Sequence, residues 1–202
     1  FHANGFNAAT YTNLLKELSK SYTVYAWDAR AHGLNFKLRL PRQYSIFDQY
    51  TKDLVGLINL LFEKHSTPII LAGHSFGATV CIKAEKALSG KISHLLLADP
   101  VLFTPLATKL SQIFRCLKFK KPKNIYLAEN AAKRRNKWPT KKDAFLNLSE
   151  KALFKKWDET SLKNYIKYGT TDTSNEVQLR CPPNIEALIF KESEQEFLAK
   201  EI

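Results

Sequence analysis

The stretch Gly73-His74-Ser75-Phe76-Gly77 constrains the fold of this chain more than any other. It follows the apolar run Ile69–Ala72, which predicts a short buried strand, and it precedes a segment with helical character. The pattern G-x-S-x-G between a strand and a helix predicts a sharp turn that presents the hydroxyl of Ser75 above a sheet. Such a turn needs small residues on both sides of the serine, because neighbouring backbones come close there. The two glycines meet that need.

Three interpretations of this turn differ in chemistry. In the first, Ser75 is a nucleophile, and the N–H of Phe76 at the positive end of the helix faces a developing oxyanion. In the second, Ser75 is only a buried serine in a glycine-rich turn. In the third, the two glycines belong to a dinucleotide-binding unit whose acid is Asp99, at the end of the next strand. The chain lacks the full G-x-G-x-x-G of that unit and the Gly-Lys-Ser/Thr of a P-loop.

From residue 1 to about residue 101, helix-period and strand-like segments alternate with short loops between them. This alternation predicts a parallel sheet with helices on its faces. The predicted elements are a helix over Tyr11–Leu18, a strand over Thr23–Trp27, a helix over Tyr50–Leu61 with Ser45 as its cap, a helix from Ser75 to Gly90, and a strand over Leu95–Ala98.

Beyond Phe103 the sequence changes to Lys-rich helical patterns with no strand of comparable strength. Thr140 with Asp143 three residues later predicts a helix N-terminus, and Gly169 predicts a helix end. We therefore divide the chain into a core over 1–103, a helical insertion over 104–184, and a return towards the core over 185–202.

Composition excludes several classes of protein. The 202 residues are 45% hydrophobic and 25% charged, which is typical of a globular chain with one sizeable core. The longest mainly apolar stretch, Ile92–Ala107, is interrupted by polar residues and is shorter than the roughly 20 residues that span a bilayer. Three widely spaced cysteines predict reduced thiols rather than disulfides or a metal site, which favours a cytoplasmic location without fixing it. The absence of methionine and a first residue Phe1 lead us to expect a fragment of a longer protein.

Charge is unevenly distributed. Of the net charge of +12, residues 115–142 carry 11 Lys or Arg and one acid, a net of +10. This basic block has three readings: an ordinary solvated surface, a weak contact with anionic membranes or an anionic substrate, or a nucleic-acid site. We expect no nucleic acid, because no stacking aromatics are regularly interleaved with the basic residues.

Two further motifs, together with the serine turn, resemble the α/β-hydrolase superfamily. Phe1-His2-Ala3-Asn4-Gly5-Phe6 resembles the family's His-Gly loop, with Ala3 in place of the usual glycine. The resemblance implies that the Asn4 N–H is the second oxyanion donor, beside that of Phe76. The segment from Asp28 to Gly33 resembles the D-x-R-G-H-G loop that braces the site in the family. The residues expected to give structural support are His2, Asp28, Arg30, His32, Gly73, His74 and Gly77.

The resemblance implies a partial α/β-hydrolase fold: a parallel sheet flanked by helices, with a helical cap insertion. It also implies a serine hydrolase that acts without metal or cofactor on a small-molecule ester or similar acyl substrate, through an acyl-enzyme on Ser75. Same-fold alternatives are a C–C hydrolase, a thioesterase, a cofactor-free haloperoxidase and a non-catalytic ligand-binding relative. The catalytic histidine is expected outside this chain. Asp99 is either the catalytic acid or a strand-end carboxylate in an Asp-Pro turn.

Overall fold

The computed structural model describes residues 1–41, 45–101 and 123–196. The helices in these ranges are α1 (Thr12–Leu18), α2 (Ile46–His65), α3 (Phe76–Glu85), α4 (Lys123–Lys133), α5 (Lys141–Ser149), α6 (Glu159–Gly169) and α7 (Pro183–Glu196). The strands are β1 (Ile69–His74), β2 (Ile92–Ala98), β3 (Lys137–Trp138), β4 (Thr170–Asp172) and β5 (Val177–Leu179). Short 3-10 helices cover Ala8–Tyr11, Gly33–Asn35 and Lys86–Leu88.

Strands β1 and β2 form a parallel pair, as the alternating pattern of the first 101 residues predicts. Helix α3 connects them and packs against both. On the other edge of β1, the Phe1 amino group donates to the Ala72 carbonyl at 2.6 Å, and the His74 N–H donates to the Phe1 carbonyl at 3.0 Å. The first residue of the chain therefore sits beside the strand that leads to Ser75.

The first core lies between this sheet and α2 and α3. Helix α2 buries an apolar stripe at helical spacing, with Phe47 and Tyr50 fully buried against Phe76 and Val80 of α3. Its N-cap residue is Ser45, as the sequence predicts. The prediction of α1 is also confirmed, although Leu14 and Leu18 on its apolar face remain exposed.

The predicted strand over Thr23–Trp27 is wrong. The segment has no strand partner among the described residues. A strand requires a hydrogen-bonded neighbour on at least one edge as well as suitable side chains, because strand pairing is what satisfies its backbone groups. His94, which the sequence places before a strand, lies within β2.

The region after residue 123 has its own core. Thr140 caps α5 by accepting the Asp143 N–H, and α6 ends at Gly169, both as predicted. Beside its helices, the predicted helical insertion contains a small antiparallel sheet of β3, β5 and β4 that the sequence did not predict. Strands of two or three residues are too short to leave a periodic signal in the sequence. The predicted boundary at residue 103 lies outside the described residues.

Two of the three cysteines, Cys81 and Cys181, are buried free thiols, and Cys116 lies outside the described residues. Burial raises the pKa of the Cys81 thiol to about 11. Among the described helices, none combines the length and the hydropathy needed to cross a bilayer.

Candidate active site

Ser75 occupies the junction of β1 and α3 in a strained backbone conformation. Its φ is +51° and its ψ is −116°, a combination that a non-glycine residue rarely adopts. The Ser75 N–H donates to the Ala98 carbonyl at 2.8 Å, and the Ser75 carbonyl accepts the Thr79 N–H at 3.1 Å. The serine is thus fixed from both sides, by the end of β2 and by the first turn of α3.

The two glycines of the turn are required by close backbone contacts. A Cβ on Gly73 would lie 2.6 Å from the backbone N and Cα of Ala78. A Cβ on Gly77 would lie 2.6 Å from the carbonyl oxygens of Phe1 and His2. These contacts are the physical reason for the spacing of the motif, and they bring the loop at the start of the chain against α3.

The structure brings together Ser75 and the two residues, Phe76 and Asn4, that the sequence predicts as oxyanion donors. Ser75, Phe76 and Asn4 line one small pocket of about 20 Å³. The Asn4 side-chain amide is oriented by its Nδ2, which donates to the Glu186 carbonyl at 2.9 Å. Its Oδ1 and the Thr79 hydroxyl, which also lines the pocket, are buried without a hydrogen-bond partner among the described residues. Two unsatisfied acceptors beside a serine are typical of a site that binds a polar group.

Helix α7 covers this pocket. Ile189, Phe190 and Ser193 of that helix line it together with the residues above. A volume of about 20 Å³ holds roughly one water molecule. Side chains of α7 therefore limit the space on this side of Ser75, which is itself partly exposed. A larger open groove of about 410 Å³, lined by Trp27 and Leu60 among others, does not include Ser75.

His2 and His32 are both buried and hold backbone rather than a reacting group. The Ala29 N–H donates to His2 Nε2 at 2.9 Å, and the Gly5 N–H donates to His32 Nε2 at 3.2 Å. In each ring Nδ1 donates to a backbone carbonyl, that of Ala3 or of Arg30. Burial lowers the pKa of His32 to about 4 and that of His2 well below its ordinary value. Both rings are neutral, and both nitrogens of each are engaged.

Asp28 and Arg30 stabilise the loop that follows residues 23–27. The Asp28 carboxylate accepts the N–H groups of Ala8 and Leu34, each at 2.7 Å. Gly33 has a φ of +44°, and a Cβ there would lie 2.2 Å from that carboxylate. Arg30 forms a bidentate ion pair with Asp53 of α2, with N–O distances of 2.8 and 2.9 Å.

None of the remaining histidines faces the pocket. His74 is half-buried, its Nδ1 lies 2.7 Å from the Tyr11 hydroxyl, and burial lowers its pKa. His65 is hydrogen-bonded to the Tyr25 hydroxyl, and His94 is exposed on β2. The described chain includes all five histidines of the sequence, so no histidine in it is placed to take a proton from Ser75.

Asp99 follows β2 in a bend with a φ of +48°. Its neighbour Ala98 is the residue whose carbonyl accepts the Ser75 N–H. The Asp99 side chain is exposed and does not line the pocket of Ser75. Its role as the catalytic acid remains a prediction.

Sequence reasoning missed a buried cluster beneath the Asn4 loop. Arg134 Nη1 lies 2.5 Å from Glu186 Oε2, and Arg134 Nη2 donates to the Tyr165 hydroxyl at 3.0 Å. The sequence places Arg134 in the basic block, but its side chain is only 18% exposed, and it belongs to the interior. The one available signal is an acid, Glu186, within the apolar segment Ile185–Phe190.

No cation site accompanies these residues. Within residues 1–41, 45–101 and 123–196, no group of three or more His, Cys, Asp and Glu side chains could hold a metal ion.

Comparisons with known proteins bear on the family and the fold. Residues 1–172 match the sequence model of the alpha/beta hydrolase family. The chain is 33% identical over 105 residues to 2-(acetamidomethylene)succinate hydrolase from Mesorhizobium japonicum, covering 52% of this chain and 34% of that protein. It is 29% identical over 114 residues to protein phosphatase methylesterase 1 of Saccharomyces cerevisiae, covering 50% of this chain and 28% of that protein.

A crystal structure of E-2-(acetamidomethylene)succinate hydrolase superposes with a TM-score of 0.73 at 18% identity. The superposition covers 96% of this chain and 63% of that one, and it shows the fold alone. The sequence matches span about a third of the length of the two curated relatives.

Proposed function

The chain belongs to the alpha/beta hydrolase family, and on that premise we propose that it is a serine hydrolase of carboxylic esters or similar small acyl compounds. The observation that carries the proposal is the strained backbone of Ser75, in a pocket shared with the two expected oxyanion residues. Strain of this kind persists only where the surrounding structure enforces it, and it clusters at active sites. Relatives named as a protein phosphatase methylesterase and a 2-(acetamidomethylene)succinate hydrolase support a substrate of this kind.

In the proposed reaction, the Ser75 oxygen attacks the acyl carbon, and the carbonyl electron pair moves onto its oxygen. The N–H groups of Phe76 and Asn4 donate to that oxyanion, which they stabilise more in the transition state than in the substrate. A histidine takes the serine proton and gives it to the leaving alcohol as the C–O bond breaks. Water then attacks the acyl-enzyme by the same route, which releases the acid and restores Ser75.

The proposed general base lies outside residues 1–202. A serine hydroxyl is a weak nucleophile until a base takes its proton, and the five histidines here are engaged elsewhere or distant from the pocket. We therefore expect the 202-residue chain alone to be inert towards esters, and the complete reading frame to supply the base.

Steady-state hydrolysis of p-nitrophenyl esters by the complete reading frame tests the proposal. Ser75→Ala should lower kcat by about 10⁴-fold, as for other catalytic serines. Ser89→Ala is the matched control, because Ser89 is exposed beyond α3 and remote from the pocket. Retention of most hydrolysis in Ser75→Ala would contradict the serine mechanism, and saturable ligand binding without hydrolysis in the parent protein would favour the non-catalytic alternative.

A further inference from the structure

The cluster of Arg134, Tyr165 and Glu186 joins α6 of the second core and α7, which packs in the first core, to the loop that carries Asn4. Arg134 follows the end of α4, Tyr165 lies in α6, and Glu186 lies in the first turn of α7. The guanidinium contacts both partners through different nitrogens, so one side chain fixes the spacing between α6 and α7.

Each partner of Arg134 in turn holds one asparagine of the loop. The Glu186 carbonyl accepts Asn4 Nδ2 at 2.9 Å, and the Tyr165 carbonyl accepts Asn7 Nδ2 at 3.0 Å. All four of these residues are buried. The two asparagines are the first and last residues of the Asn4–Asn7 loop. The distance between α6 and α7 therefore determines where the two ends of the loop lie.

Packing reinforces the same connection. The Glu186 carboxylate lies so close to Gly5 that a Cβ there would be 2.9 Å from the carboxyl carbon. The Phe6 ring, next in the loop, contacts Trp157 at a centroid distance of 5.0 Å and Tyr165 at 5.9 Å. Every residue of the loop from Asn4 to Asn7 therefore contacts this cluster or the core around it.

Stability alone is a weak reason for such an ion pair. Burial raises the pKa of the Glu186 carboxyl, which shows the cost of desolvating it, although Arg134 opposes that shift. A buried pair of this kind is often replaceable by apolar residues without loss of stability, whereas it specifies geometry well. The planar fork of arginine bridges two fixed partners with a defined geometry, whereas the rotatable ammonium of lysine defines no such geometry.

We propose that Arg134 is a positioning residue that sets the Asn4–Asn7 loop, and with it the Asn4 N–H, against the oxyanion of the tetrahedral intermediate. This inference rests on the proposed function. Residues in the range 123–196 then help to shape the oxyanion hole, although Arg134 itself makes no contact with the substrate.

The test compares Arg134→Gln with Arg135→Gln in the complete reading frame. Arg135 is the matched control, because it carries the same charge one residue later, lies over the Trp138 ring and donates to the Lys137 carbonyl. We expect Arg134→Gln to lower kcat about 10- to 100-fold with KM within a few-fold, since a small misplacement of a donor has effects of that size. Arg135→Gln should leave both parameters unchanged.

Two further variants keep the proposal testable if Arg134→Gln does not fold. Tyr165→Phe removes one hydroxyl and should lower kcat several-fold, and Arg134→Lys should fail to restore the parent kcat although it keeps the charge. In ¹⁵N-edited spectra, the side-chain amide signals of Asn4 and Asn7 should shift in Tyr165→Phe and in Arg134→Lys. The same signals should keep their positions in Arg135→Gln.

The outcomes separate this inference from the proposed function. If Ser75→Ala retains hydrolysis, the proposed function fails whatever Arg134 does. If Ser75→Ala abolishes hydrolysis while Arg134→Gln and Tyr165→Phe match the control in kcat, only the positioning role is overturned. Unchanged Asn4 and Asn7 signals in folded Arg134→Gln would also overturn it.

Discussion

The turn at Ser75 lines the small pocket directly, whereas the cluster at Arg134 reaches that pocket only through Asn4, and the two position atoms by different means. At Ser75 the backbone sets the geometry, through a strained φ, two glycines and hydrogen bonds to the end of β2 and to the first turn of α3. At Arg134, side chains that are distant in sequence set the geometry. Arg134 and Glu186 are 52 residues apart, and Glu186 and Asn4 are 182 residues apart. A site made from local backbone leaves a motif in the sequence, whereas a site made from distant side chains does not.

We expect the largest effect from substitutions that disturb the backbone of the Ser75 turn. Gly73→Ala or Gly77→Ala would place a Cβ 2.6 Å from backbone atoms that cannot give way. We expect each to lower the free energy of unfolding by at least about 3 kcal/mol or to prevent folding, as for severe overpacking.

Gly56→Ala is the control for these glycine variants, because a Cβ there meets nothing within 4 Å in the interior of α2. It should stabilise the protein by roughly 0.5–1 kcal/mol. Urea denaturation of the three variants measures both effects. A Gly73→Ala protein as stable as its parent would contradict the account of the motif.

The next effect concerns the buried histidines that hold the loops of the site. The pKa of His32 is lowered to about 4, so the unfolded state binds more protons than the folded state between that value and 6.5. Stability is therefore fully present above about pH 6.5 and is lost as the pH falls, by about 3 kcal/mol for His32 once the pH is below both pKa values. His2, also lowered, adds to the same trend.

Urea midpoints measured from pH 7 down to about pH 5 test this, because few carboxylates titrate in that range. His94→Gln is the control, since His94 is exposed, and it should leave the slope unchanged. A flat stability profile over this range would show that the two buried rings bind protons as readily in the folded protein as in the unfolded chain.

The features that could be predicted from the sequence are those built from local backbone, and the features that could not are those built from distant side chains. Ser75, Phe76 and Asn4 could be predicted together because each lies in a short motif whose spacing reflects backbone geometry. The cap at Thr140 and the end of α6 at Gly169 were predictable for the same local reason. The strand expected at Thr23–Trp27 was wrong, because pairing depends on a neighbour that side-chain pattern does not reveal.

The burial of Arg134 could not be predicted either. Its sequence neighbours Lys133 and Arg135 are exposed, so composition alone assigns all three to one basic surface. Only the fold brings Glu186 and Tyr165 to one of them. Charge density along a sequence therefore overstates the charge that a surface presents.

A smaller effect on stability tests the backbone strain at Ser75. Ser75→Gly relieves the strain of a φ of +51°, which glycine adopts freely, and should stabilise the protein by about 1 kcal/mol. The same change removes the nucleophile, so a gain in stability would accompany a loss of hydrolysis. A loss of stability in this variant, measured by urea denaturation, would show that Ser75 is not strained.

The smallest effect concerns the basic block, for which weak binding to anionic membranes remains a proposal. Of its described residues, Arg134 pairs with Glu186, Lys137 with Glu176 and Lys141 with Asp172. Reversal of the exposed Lys133 and Lys142 to Glu should weaken binding to vesicles of phosphatidylserine and phosphatidylcholine by at most about 1 kcal/mol per residue, and less as salt rises. Partitioning that does not change at low salt would return the block to an ordinary solvated surface.

The central claim, that an acyl group is carried on Ser75, is tested most directly by mass spectrometry of the complete reading frame quenched during ester turnover. The account predicts an added acyl mass on the peptide that contains Ser75, and none on that peptide in Ser75→Ala. Continued turnover with no adduct on this peptide, or with the adduct on another residue, would contradict it.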